Sequence, residues 1–323
     1  MNSPTLVFCR KELRDAFRNR LVLLLIAGMS LVVVLSVVVA AAGFHAKVVD
    51  YQSYVKAMQS AGQAENVTAP QLFPLQLLRG AIEYLEIVGS IVAIIIGYSL
   101  TAKEKNRGTL RLLFSRPVGG ASMAAGKLLS VAVIWFAVIV VLGAIMLASV
   151  SLVGGITPSS AEVIKLVIAL AFSWMYLMMW TAFSYWLAGR ARRLSTALVV
   201  GLIVWLVVVL VIPQIGDTMD PDNQVPGGLF KSLQVDKPQE QAVMAHFSGY
   251  ETTRNDLENT SISKHYERAS FAYLGIKDKY NQQSLGLIWR DMWANVTWLI
   301  GGLAAALGLA VAYGKKRHLL RKA

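Results

Sequence analysis

Six long apolar runs constrain this chain more than anything else in it. They are Leu21–Phe44, Tyr84–Ala102, Leu128–Leu152, Leu166–Ala188, Leu194–Ile215 and Met292–Tyr313. A hydrocarbon core of roughly 30 Å takes about 20 helical residues, so each run is long enough to cross. Backbone groups cannot stay unpaired in lipid, which makes each run a helix. The expected fold class is an all-α integral membrane protein with six transmembrane helices. Composition agrees. Only 15% of residues are charged and mean hydropathy is +0.53, whereas soluble domains carry about 25% charged residues. The first run is expected to stay uncleaved, being too long for a signal-peptide core and followed by no small-x-small site before Phe44. The single cysteine, Cys9, excludes an intramolecular disulfide or a thiolate metal cluster.

The net charge of +12 is distributed by side. Residues 1–20, 103–127, 189–193 and 314–323 hold 5, 6, 3 and 5 Lys/Arg, against three acids, Glu12, Asp15 and Glu104. The alternate side holds the other 12 Lys/Arg and 16 Asp/Glu. Short basic segments mark the cytoplasmic face, so both termini are expected there, in a cytoplasmic membrane. The excess charge then reflects orientation and attraction to anionic membrane lipids, and no nucleic acid is implied.

Outside the spans, residues 1–20 read as an amphipathic interfacial helix. Leu6, Cys9, Leu13 and Phe17 recur at helical spacing, with Arg10, Lys11, Arg14 and Arg18 around them. Residues 21–215 hold the first five spans. Arg79, Glu83 and Glu86 follow at i, i+4 and i+7 near the outer end of the second span. They are either outer-mouth functional charges or an ion-pair network docking that span to the outer region. Residues 216–291 are too long for a simple connection and read as a small, mostly helical external subdomain. Residues 292–323 form the sixth span and a basic tail. His246 and His265 lie in the external region without a paired spacing, so no metal site is expected.

No H-E-x-x-H, C-x-x-C or G-x-S-x-G motif is present, and no catalytic residue is expected. The nearest approach to a phosphate loop is Gly119 to Leu128, GGASMAAGKL. It has Ala121 where a glycine is needed and Leu128 where a Ser or Thr is needed. This chain is therefore not expected to hydrolyse ATP. The cores of the spans hold no charges, which disfavours an ion-coupled carrier. Any energy must come from elsewhere.

Between the second and third spans lies KEKNRGTLRLLFSRP, residues 103–117. Leu110, Leu113 and Phe114 give an apolar face, and Lys103, Lys105, Arg107, Arg111 and Arg116 a basic one. Thr109 suits an N-cap and Pro117 a stop. Glu104, Gly108-Thr109-Leu110, Ser115-Arg116-Pro117-Val118 and Gly126-Lys127 together resemble the coupling segment of type-2 ABC exporter permeases. The resemblance is strongest to the group typified by the nitrous-oxide-reductase maturation permease. The six-span order with a long insert before the last span extends the likeness to the whole chain.

The resemblance implies a permease subunit of an ATP-driven exporter. Residues 103–117 would be a coupling helix docked in a separate ABC ATPase, present in two copies that hold ATP and magnesium. Residues Glu104, Gly108, Thr109, Leu110, Leu113, Phe114, Arg116 and Pro117 would make that contact. The loop with Arg190, Arg192 and Arg193 would make a second. A second permease copy completes such transporters, and a periplasmic partner is conceivable. Residues 1–20 would be the elbow helix beside the ATPase. Small residues fit close helix contact, either between copies or within one: Gly89, Ala93 and Gly97 in one stripe, Gly301, Ala305 and Gly308 in another. Trp135, Trp174, Trp180 and Trp205 fit a lipid-like or drug-like cargo, while the resemblance suggests a sulfur species bound for a copper site. The alternative is a membrane sensor or scaffold whose external region binds a ligand and signals inward without transport.

Overall fold

The computed structural model describes residues 3–60, 73–106, 119–220, 229–246 and 248–313. Among them the secondary structure is helical throughout. Helix α1 is Pro4–Arg18. After it come six helices long and apolar enough to cross a membrane: α2 (Arg20–Ser60), α3 (Pro74–Lys105), α4 (Gly120–Val153), α5 (Ser160–Arg190), α6 (Leu194–Met219) and α10 (Leu285–Tyr313). Between α6 and α10 lie a single turn at Leu229–Ser232 and helices α7 (Lys237–His246), α8 (Ser248–Glu258) and α9 (Ile262–Tyr273). The chain is a multi-pass membrane protein with the expected number of spans. The bundle has a near end, which carries α1, and a far end, which carries α8 and α9.

All six spans overrun the apolar runs, for local reasons. Residues 45–60 contain neither Gly nor Pro, so α2 does not stop at Phe44 but continues to Ser60. At about 1.5 Å per residue, its 41 residues reach about 60 Å, twice a hydrocarbon core. Ser159 caps α5 through a reciprocal pair with Glu162, which starts the helix well before Leu166. Its Lys165 ammonium reaches the Gln283 carbonyl at 2.8 Å. Helix α10 starts at Leu285 rather than Met292. Its first turns are amphipathic, and Asp291 there pairs with Lys279 at 2.8 Å.

Helix α5 is the hub, packed most heavily on α3 and α10 and also on α9 and α4. Of their most apolar stretches, α3 and α5 bury 67% and 56%, whereas α2, α6 and α10 bury 22%. The first pair is interior and the other three lie at the periphery of the bundle. Gly97 fixes the spacing of α3 and α5: a Cβ there would overlap the Thr181 carbonyl oxygen. The Gly89–Gly97 stripe therefore serves packing within one chain. Gly301 and Gly308 on α10 face open space.

The region 216–291 divides into exposed and buried helices. Helices α7 and α8 are mostly exposed. Helix α9 is sunk among α5, α10 and the far ends of α3 and α6, with Tyr266, Ala269 and Ala272 fully buried. Tyr266 stacks on Tyr176 of α5, centroids 4.5 Å apart, and its hydroxyl pairs with Ser173 at 2.8 Å.

Candidate functional site

At the near end, charged side chains stitch four elements together around the root of the 103–117 segment. Glu104 closes the last turn of α3 and is 7% exposed. Its carboxylate meets Lys127 of α4 at 2.6 Å and Lys11 of α1 at 3.7 Å. Lys127 is 1% exposed and also donates to the Leu100 carbonyl at 2.6 Å. An ion pair this deep is tolerated because the ammonium has two acceptors and the carboxylate two cations. Lys105 donates to the carbonyls of Ala188, Gly189 and Ala191 at 2.9, 3.2 and 2.9 Å. Those are the orphan acceptors at the C-terminus of α5, where a cation also meets the negative end of the helix dipole. The loop bearing Arg190, Arg192 and Arg193 is thereby tied to the stem of the 103–117 segment, with all three arginines on the surface.

Gly108, Thr109, Leu110, Leu113, Phe114, Arg116 and Pro117 lie outside the described residues. Of the expected coupling set, the structure brings Glu104 and the 190–193 loop to one end of the bundle, joined through Lys105. In the sequence, Lys105 and Lys127 show only as part of a basic face and of a helix opening. Their pairing across 83 to 86 residues and with Glu104 has no local signal. The same Lys127 closes the imperfect phosphate-loop pattern, and in the fold it is a buried structural cation.

Helix α1 lies along α4 and buries Phe8, Cys9 and Glu12. The expected apolar face is split. Cys9 is buried and Leu13 half-buried, while Leu6 and Phe17 are 57% and 71% exposed. Burial pushes the Cys9 thiol above its ordinary pKa.

At the far end, Arg79, Glu83 and Glu86 line one cavity of about 620 Å³ with Asp217 of α6 and Lys264 and Glu267 of α9. Arg79 pairs with Glu83 at 2.8 Å, as the i, i+4 spacing implies. Glu86 is 6% exposed. Lys264 meets Glu267 at 2.9 Å and Asp217 at 3.5 Å. Burial alone would lower its pKa, but Glu267, Asp217 and Glu258 outweigh burial and hold it above the ordinary lysine value. Arg254 of α8 meets Asp220 at 3.0 Å, and Glu251 and Glu258 at 3.3 Å each. Burial works against its charge too, and Asp220, Glu258 and Glu251 more than offset it, so its pKa is raised. These pairs clasp α8 and α9 onto the tip of α6.

His246 is exposed. His265 is buried between Asn295 at 2.8 Å and the Asn259 carbonyl at 3.0 Å, its ring stacked on Trp298. It joins α9 to α10. Among the described residues no three of His, Cys, Asp and Glu gather as a metal site would require. Trp135 and Trp205 are buried between spans, where they donate to Thr181 and Ser90 at 3.0 and 2.6 Å. Trp174 donates to the Ala132 carbonyl at 3.0 Å, and Trp180 is buried.

Six spans, an α1 helix laid on the third of them, and a charge-stitched near end at the foot of a basic connector are the parts of a transporter's membrane half. The family of ABC-2 family transporter proteins matches residues 6–317, nearly the whole chain. The chain belongs to that family. No curated protein matches it. As an ABC-2 family transporter protein it is a membrane transport component and not itself catalytic. Membership implies an ABC ATPase partner in general.

Proposed function

We propose that the chain is the permease subunit of an ATP-driven exporter in the cytoplasmic membrane, of the kind typified by the nitrous-oxide-reductase maturation permease. Its near end faces the cytoplasm. Two copies of an ABC ATPase, each holding ATP and magnesium, dock on two copies of the permease. The chain itself carries no cofactor. The observation that supports this best is the joining of α1, α3, α4 and α5 by Glu104, Lys127, Lys11 and Lys105 at the root of residues 107–118. A push on that connector would pass into four helices as one body, because buried ion pairs and capped helix ends yield little before they break. Helices α7 to α9 form a lid over the far mouth, contributing to cargo release or to docking of a periplasmic partner.

Leu110, Leu113 and Phe114 are the proposed anchors in an ATPase groove, with Arg116 at the rim. Anchors desolvated at an interface centre typically cost about 2 kcal/mol or more on truncation, exposed rim pairs roughly 0–1. Leu113→Ala with Phe114→Ala should therefore abolish most copurification of the ATPase, and Arg116→Ala should leave it nearly intact. Equal ATPase recovery with the double variant and the parent would remove the coupling role from this segment.

A further inference from the structure

A π turn carries one residue more than regular helical bonding accommodates, so it leaves carbonyls that need other donors, and such turns gather at places of function. In hydrocarbon those donors must be protein groups. Helix α6 has a π turn at Leu206–Val211 and α3 has one at Leu85–Gly89. The Val208 carbonyl accepts from Ser261 Oγ at 2.6 Å and from Ser263 Oγ at 3.2 Å. Both serines are fully buried at the start of α9. Ser261 occupies the N-cap position of α9, yet its side chain makes no cap bond to its own helix. It gives up the local interaction serine prefers there in favour of α6.

The second π turn closes a circuit. The Glu86 carbonyl accepts from the Tyr176 hydroxyl at 3.4 Å and from Ser90 Oγ. Ser90 in turn accepts from Trp205 Nε1 at 2.6 Å, the residue just before the α6 turn. Tyr176 is the ring stacked on Tyr266 of α9. Helices α6, α9, α5 and α3 are thus linked in a loop through the two distorted turns.

We propose that the Leu206–Val211 turn of α6 is a two-state element, latched in its π form by the Ser261 and Ser263 hydroxyls, and that its relaxation to α-helical bonding releases α9 from the bundle. Relaxation with every residue kept gives the extra residue its own α-helical step, which rotates the C-terminal part of α6 by about 100° and shifts it by about 1.5 Å. That end of α6 bears Asp217 and leads into Asp220, the partners of Lys264 and Arg254. Latch and clasp therefore open together. Ser261, once free, stands where it can cap α9. The switch belongs to one chain and needs no ATPase, so its test is independent of the coupling proposal.

The test uses the full chain with Cys9→Ser, in lipid nanodiscs. Ser270→Cys, at a fully buried position of α9, reports opening through its rate of reaction with a membrane-impermeant maleimide. Ser261→Ala with Ser263→Ala should speed labelling at least tenfold. Thr260→Ala should leave it unchanged, because that hydroxyl bonds only to Leu257 of its own segment. An unchanged rate in the double variant overturns the proposal. Should that variant fail to elute as a single folded species, Ser263→Ala alone is measured by amide hydrogen exchange. Faster exchange over residues 212–219 supports the latch, and parental exchange there overturns it.

Discussion

The Glu104 carboxylate and the Lys127 ammonium stand 2.6 Å apart where water hardly reaches, and that sets what each substitution does. Removing one partner of a buried pair strands the other charge and typically costs about 3–5 kcal/mol, whereas replacing both with apolar residues is often neutral. Glu104→Gln should therefore melt well below the parent, and Glu104→Leu with Lys127→Met should recover most of the loss. A thermal melt of the purified protein in detergent reads both, and a parental melt for Glu104→Gln would mean that the carboxylate is not paired in the membrane. Glycines give a second residue-scale contrast. Gly97→Ala drives a methyl into the Thr181 backbone and should cost about 1–3 kcal/mol through forced separation of α3 and α5. Gly301→Ala meets nothing within 4 Å and should be neutral or stabilising by up to about 1 kcal/mol, since alanine is the better helix former. A large loss at Gly301 instead would reveal a partner packed on α10. In the sequence the two glycines look alike, because spacing shows a stripe but not what faces it.

Among the elements between α6 and α10, α9 is the most deeply packed. Its Ser, Lys, His, Tyr and Glu residues give a polar sequence, and the helix is buried against its neighbours. Three of its polar groups have partners that lie far away in sequence: Tyr266 with Ser173, His265 with Asn295, Ser261 with Val208. Hydropathy cannot see such satisfaction, so the burial of a polar helix is not legible in its sequence. The spans themselves are legible because twenty apolar residues have no other use. Their ends are not, because amphipathic extensions such as Leu285–Asp291 and residues 45–60 of α2 carry charge that resembles a boundary. Burial of α9 has a measurable consequence. Tyr266→Ala should cost about 3–5 kcal/mol through the cavity left against Tyr176. Tyr266→Phe keeps the stack, loses only the Ser173 bond and should cost about 1 kcal/mol. Replacing Lys237–His246 with a Gly/Ser linker should leave the melt unchanged, because α7 is mostly exposed. Equal melts for Tyr266→Ala and the parent would place α9 outside the bundle after all.

For the whole molecule, an asymmetry of charge and an asymmetry of structure coincide. The near end bears Lys11, Lys105, Lys127 and the 190–193 arginines, and the far end bears a cavity lined by four acids and two cations. Short basic connectors stay in the cytoplasm because moving their charge across the bilayer during insertion is unfavourable, so the near end should be cytoplasmic. In a Cys9→Ser variant, Gln63→Cys and Asn259→Cys should react with an impermeant maleimide added to intact cells. Asn106→Cys and Ala191→Cys should react only after the membrane is opened. Position 259 closes α8 on the exposed far surface, and 106 and 191 flank the Lys105 cap at the near end, so these three report opposite ends of the bundle. The ends cannot both lie outside, because an odd number of spans, α2, α3 and α4 for instance, separates the first near-end segment from the loop before α5. Labelling of Asn106→Cys in intact cells would invert the molecule. Its coupling segment would then face away from cytoplasmic ATP, and the exporter reading would fail with the orientation.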